Sequence, residues 1–186
     1  MSLSAASTAS IRKQFARFRR NRRGSTAVEF ALVAPVFFAL LFAIIETALI
    51  FFASQVLETI TQDSARQIFT GQAQGASLTQ AQFAELVCGQ VSVLFDCNNI
   101  KIDVQNYNTS FAGVQINSQI DAGGNFVDTM HYNPGGPCEV VVVRLFYPWP
   151  LFVTGLSYNI SNLSGNKRLL SATAAFRNEP YNGSCS

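Results

Sequence analysis

The chain has 186 residues, 48% of them hydrophobic and only 13% charged, with a formal net charge of +2. That length allows one modest domain, and so low a charge content argues against a highly soluble enzyme and for a membrane-attached protein. The net charge hides an asymmetry: residues 1–24 carry seven basic side chains (Arg12, Lys13, Arg17, Arg19, Arg20, Arg22, Arg23) and no acid, while the rest carries six basic and eleven acidic, a net of −5. A basic run can bind nucleic acid, but one that abuts an apolar span fixes topology by staying cytoplasmic. No nucleic-acid partner is expected, and the residues after the span are expected outside the cytoplasm.

Residues 1–11 are rich in Ser and Ala, and residues 12–23 form the basic arm. The leader ends at Gly24, and Glu29 stands at the threshold of an apolar run over residues 30–53. Those 24 residues make about 36 Å of helix at about 1.5 Å each. That exceeds the roughly 30 Å of hydrocarbon a span must cross. A secretory signal peptide has a shorter apolar core and a small-residue cleavage site, and neither is found here. The segment is expected to stay as an anchor. Glu46 interrupts it, and a central acid costs about 3 kcal/mol on insertion scales. Fifteen Leu, Ile, Phe and Val residues in the same run offset that with roughly 4.5–9 kcal/mol. Insertion wins, and an acid inside a span is expected to meet something.

At 100° per residue Ala39, Ala43, Glu46, Ile50 and Ala53 share one sector, which continues through Leu57, Ile60, Ser64 and Ile68. Gln55, Glu58, Gln62 and Arg66 point elsewhere. Small residues four apart let another helix approach closely. A single helix over about residues 26–72, bent at Pro35, explains both halves. Its inner half is expected on partner helices and its outer half on a globular domain. A signal anchor carrying a stalk fits the same pattern.

The stretch Gly24-Ser25-Thr26-Ala27-Val28-Glu29-Phe30 resembles the type IV prepilin processing motif. With Arg23, Ala31-Leu32, Pro35, Ile45-Glu46 and the run to Ala65-Arg66, residues 22–66 resemble the TadE-like pseudopilins of the tight-adherence (Tad) pilus system. The tail Phe176-Arg177-Asn178-Glu179-Pro180-Tyr181 is similar to endings in that family. The resemblance implies cleavage by a prepilin peptidase between Gly24 and Ser25. It also implies a bacterial inner-membrane location and partners among pilin subunits and the inner-membrane assembly platform. Glu29, one helical turn from the new Ser25 amine, is expected to neutralise an amine during assembly rather than to direct cleavage.

Beyond the span, Gly71 to Gly75 is expected to end the long helix. The spacing Ser77-Leu78-Thr79-Gln80 reads as a capping box, opening a short helix to about Cys88. Strands are expected over residues 100–104, 114–120, 139–147 (halting at Pro148-Trp149-Pro150) and 170–176. Residues 121–137 and 158–167 read as polar connectors. The expected fold is α+β and pilin-like, a long helix lying on a small antiparallel sheet. Its divisions are a leader (1–24), a long helix (25–74) and an exported domain (75–186). Cys88, Cys97, Cys138 and Cys185 all lie on the exported side, which allows two disulfides in three connectivities. If the strands near residues 140 and 173 are antiparallel neighbours, Cys138 approaches Cys185 and leaves Cys97 for Cys88.

No active site stands out. His131 is the only histidine and sits in a loop beside Asp128 and Tyr132, the pattern of solvated surface. No cofactor, metal or small-molecule substrate is expected. The aromatics Phe146, Tyr147, Trp149 and Phe152 read as the edge of the core rather than as a docking patch. The function expected is that of a non-enzymatic minor pseudopilin in Tad pilus assembly and adherence. The alternative is a signal-anchored periplasmic enzyme or ligand-binding module.

Overall fold

The computed structural model describes residues 25–91, 94–108, 110–153 and 158–181. The leader, Gly24 and Cys185 lie outside them. The chain divides into two units, one ending at Ile44 and one from Ile45 onward.

Helix α1 spans Ser25–Phe69 and runs on through Pro35, close to the span expected. The stripe is borne out in its outer half. Leu57, Ile60, Ser64 and Ile68 are buried, with Ala65 beside them, while Gln55, Glu58, Gln62 and Arg66 are exposed. Burial begins earlier than expected, since Glu46, Ile50 and Ala53 of the inner half are buried too. Two hydroxyls on this side turn back onto the helix, whereas the buried Ser64 Oγ has no hydrogen-bond partner among the described residues. Ser54 Oγ donates to the Ile50 carbonyl at 2.8 Å and Thr61 Oγ1 to Leu57 at 2.7 Å, which satisfies both donors within the helix.

The helix stops where Gly71 takes φ +76°, a left-handed conformation that costs glycine little. A one-turn helix, α2 (Gln72–Gly75), follows. The tail behind the last strand then closes the end. Glu179 N donates to the Phe69 carbonyl at 2.9 Å, and the Tyr181 ring lies so near Gly71 that an added Cβ would sit 2.4 Å from it. Gly71→Ala is therefore expected to destabilise the fold by at least about 1–2 kcal/mol from the backbone alone. In a domain of this size that is a fall of about 2–4 °C in Tm for each kcal/mol. Calorimetry of the full chain in detergent checks it, and an unchanged Tm contradicts it.

Helix α3 spans Gln80–Val91. Its capping box is shifted two residues from the one expected. Thr79 Oγ1 accepts from Gln82 N at 3.3 Å and Gln82 Oε1 accepts from Thr79 N at 2.9 Å. Ser77 lies at φ +49°, in the turn rather than at the cap. Cys97 returns to this helix through the Cys88–Cys97 disulfide, with Cα atoms 5.5 Å apart. So short a loop contributes about 2.5–3 kcal/mol in the chain-entropy account. Cys138 is also disulfide-bonded; its expected partner lies outside the described residues.

The sheet has three antiparallel strands in the order β1 (Lys101–Asn106), β2 (Val140–Pro150) and β3 (Lys167–Arg177). Alternation sorts their faces. Ile102, Val104, Val141, Val143, Leu145, Tyr147, Leu170 and Ala172 join the core with the buried α1 stripe and with Phe83 and Val87 of α3. The fold is α+β, as expected.

Two strand expectations are corrected. Residues 114–120 form no ladder beyond a single bridge, Ile120 to Phe126. Two of their carbonyls are taken by side chains instead: Tyr107 Oη donates to Gln115 O at 3.1 Å and Arg144 Nη1 to Asn117 O at 3.2 Å. Nor do the prolines halt β2, since Pro148 pairs with Leu169 and Pro150 with Lys167. Val140 N donates toward the β1 side, to Asn108 O, so every second residue aims its nitrogen that way. Beyond Phe146, which faces Lys101, β1 has ended. Pro148 and Pro150 thus lack a donor where β1 no longer offers an acceptor.

Candidate functional site

The inner part of α1 is dominated by side chains that water would reject. From Val28 to Ile44, eleven large apolar residues are exposed, among them Phe30, Leu32, Val33, Phe37, Phe38, Leu40, Leu41 and Phe42. Covering each is worth about 1.5–3 kcal/mol, so this surface is stable only against lipid or other apolar helices. It is the one helix among the described residues that is long and apolar enough to cross a membrane, as a single-pass anchor requires. Ser25 opens the described helix and Glu29 lies one turn along it, exposed. Ala39 and Ala43 are half-buried.

Glu46 finds partners within its own chain. One carboxylate oxygen accepts from Phe152 N at 2.5 Å, and both oxygens lie 3.2 Å from Val153 N. The next residue, Thr47, shares a hydrogen bond with the Tyr158 hydroxyl. These contacts tie the segment after β2 back to the helix 106 residues earlier. The buried acid expected on a partner helix is thus satisfied by backbone donors of its own domain. Of the four aromatics read as core edge, Phe146 and Tyr147 are buried and Trp149 packs partly against the core. Phe152 departs from that expectation: it is 82% exposed, because its backbone is held at Glu46 while its side chain faces away.

On the face of the sheet opposite the helix, Asp103 and Arg144 stand directly across from each other on β1 and β2. Asp103 Oδ2 accepts from Arg144 Nε at 3.0 Å and from Nη2 at 2.6 Å. The side chains are 0% and 6% exposed. Oδ1 accepts from His131 N at 2.9 Å, and Gln105 Nε2 reaches both oxygens. Burial alone would raise the Asp103 carboxyl. The His131 N–H, the Arg144 guanidinium and the Gln105 amide outweigh it and hold the group below the ordinary aspartate range. Arg144 also lies over the Phe146 ring, 5.4 Å from its centroid. The His131 ring is largely exposed, its Nδ1 3.4 Å from Asp103 Oδ1. Its backbone, rather than its ring, secures the pair.

Sequence reasoning missed both the Glu46 tether and this pair. A signal for the pair existed: Arg144 interrupts an apolar run from Val140 to Tyr147, a placement that demands a partner acid.

Set against known proteins, residues 24–66 match the family described as TadE-like protein. The resemblance read from the motif is borne out over that stretch. It covers nearly all of α1 and none of the sheet. The match suggests involvement in the Tad pilus system, since the TadE-like family is one of pilus components not known as enzymes. No curated protein and no solved structure matches the chain.

Proposed function

We propose that this chain, TadE-like over residues 24–66, is a minor pseudopilin of a Tad pilus system. It is anchored in the bacterial inner membrane with residues 1–24 cytoplasmic and residues 75–186 periplasmic. A prepilin peptidase cuts after Gly24, and helix α1 then packs with pilin helices at the assembly platform. The observation that carries this reading is the long exposed apolar helix lying under the family match.

Each residue has a task in it. Gly24 presents a backbone with no side chain to the peptidase. The new Ser25 amine is one turn from Glu29, so an unneutralised charge need not enter an apolar assembly. Ala39 and Ala43 allow close helix approach. The Cys88–Cys97 bridge suits an oxidising periplasm, and the basic leader resists export. A strain lacking the chain is expected to lose pili and surface adherence, both restored by the full-length copy. Normal piliation in its absence contradicts the proposal.

A further inference from the structure

The membrane span of the proposed function sets a depth for whatever touches it, and the following inference rests on that span. Along the outer part of α1 the exposed residues are Ile45, Leu49, Phe51 and Phe52. From Gln55 onward they are Gln55, Glu58, Thr59, Gln62, Asp63 and Arg66. The edge of the hydrocarbon therefore falls near residues 53–54. Glu46 lies seven residues before Ala53, about 10 Å below that edge along the helix axis. Its carboxylate holds Phe152 N and Val153 N, so the segment after β2 stands at the same level as the lipid-facing residues.

We propose that residues 151–153 form a second membrane contact, with Phe152 seated in the outer part of the periplasmic leaflet, within about 10 Å of the headgroup–acyl boundary, and Glu46 as the residue that positions it. Irregular backbone is tolerated at such depth only where its polar groups are satisfied. That condition is met at both backbone groups of Leu151 and at the N–H groups of Phe152 and Val153. Leu151 N donates to Asn166 O at 3.1 Å and Leu151 O accepts from Asn166 Nδ2 at 3.0 Å. The next two N–H groups are taken by Glu46. The Phe152 side chain, 82% exposed, is then free to meet lipid.

The flanks have the chemistry of a membrane interface. Trp149 and Tyr158 stand on either side in sequence, the residue types enriched at headgroup level. Exposed Lys167 pairs in register with Pro150, placed for a lipid phosphate. The lipid bilayer is the occupant favoured because Phe152 is held at the depth of helix residues already required to face lipid. An insertion of this depth is typical of segments that lie in the interface. The domain is thereby docked on the bilayer at two points and is not swung from a stalk.

The test uses the full chain in phosphatidylethanolamine–phosphatidylglycerol vesicles carrying a diazirine high on the acyl chain, with adducts mapped by mass spectrometry. Adducts on Leu49, Phe51 or Phe52 together with Phe152 are expected. Helix adducts without any on residues 151–153 overturn this inference and leave the span intact. No adducts on the helix overturn the span itself. A photoreactive benzoylphenylalanine substituted for Phe152 that crosslinks to a second copy of the chain assigns the patch to protein and also overturns the lipid contact. Glu46→Ala is expected to remove the Phe152 adducts while sparing those near Phe38, and unchanged labelling of Phe152 overturns the positioning role.

Discussion

Gly24→Ala is expected to leave the chain unprocessed, migrating more slowly by its 24-residue leader, and to abolish adherence. Without cleavage the seven basic residues before Gly24 stay attached to the helix. Each Lys or Arg at the bilayer centre costs about 2.5–3.5 kcal/mol on insertion scales. Drawing all seven through would cost roughly 20 kcal/mol, more than any plausible gain from helix packing. The leader must therefore be removed before α1 can leave lipid. Uncut chain also lacks the Ser25 amine that Glu29 would meet. Glu29→Ala separates the two effects, since it is expected to be cut normally and still to fail in assembly. Immunoblots of envelopes with an adherence assay read both. Wild-type mobility in Gly24→Ala contradicts the account.

The second large effect concerns the sheet that follows α1. Asp103→Ala is expected to cost about 3–5 kcal/mol, because it leaves Arg144 buried without its counter-charge. Replacing both residues by apolar ones removes the charge problem and is expected to recover part of that loss, though the Asn117 carbonyl and His131 N–H stay unpaired. The pH dependence has a definite sign. The Asp103 carboxyl lies below its ordinary value of 3.8 in the folded chain. Its contribution is thus fully present above that value and is lost as pH falls through the folded-state value. The gap in unfolding midpoint between wild type and Asp103→Ala is expected to be constant from neutral pH to about pH 4, and to close in stronger acid. Denaturant titrations of the full chain in detergent measure it. A gap that closes between pH 7 and 5 would assign the stabilisation to another group.

What could be read from the residues was whatever repeats. The α1 stripe has a period near 3.6, and the alternation around Ile102 and Val104 has a period of 2, so burial on one face is written into both. The Val140 run declared the central strand by its length and branching. The features that escaped depend on pairs far apart in the chain. Glu46 was visible as an acid needing company, but nothing local says that its company is the backbone at Phe152. Pro148 and Pro150 look like strand breakers until it is known that β1 stops short of them. Residues 114–120 have strand-like composition, yet the side chains of Tyr107 and Arg144 claim the carbonyls of Gln115 and Asn117. The capping box was misplaced by two residues because two overlapping Ser/Thr-x-x-Gln frames compete, and only backbone geometry at Ser77 decides between them.

The account depends most on one event at the inner end of α1, and N-terminal sequencing of the chain recovered from envelopes reads it directly. A mature chain that begins at Ser25 is the result expected. A chain that still begins upstream of Ser25, in cells whose pili assemble normally, contradicts it.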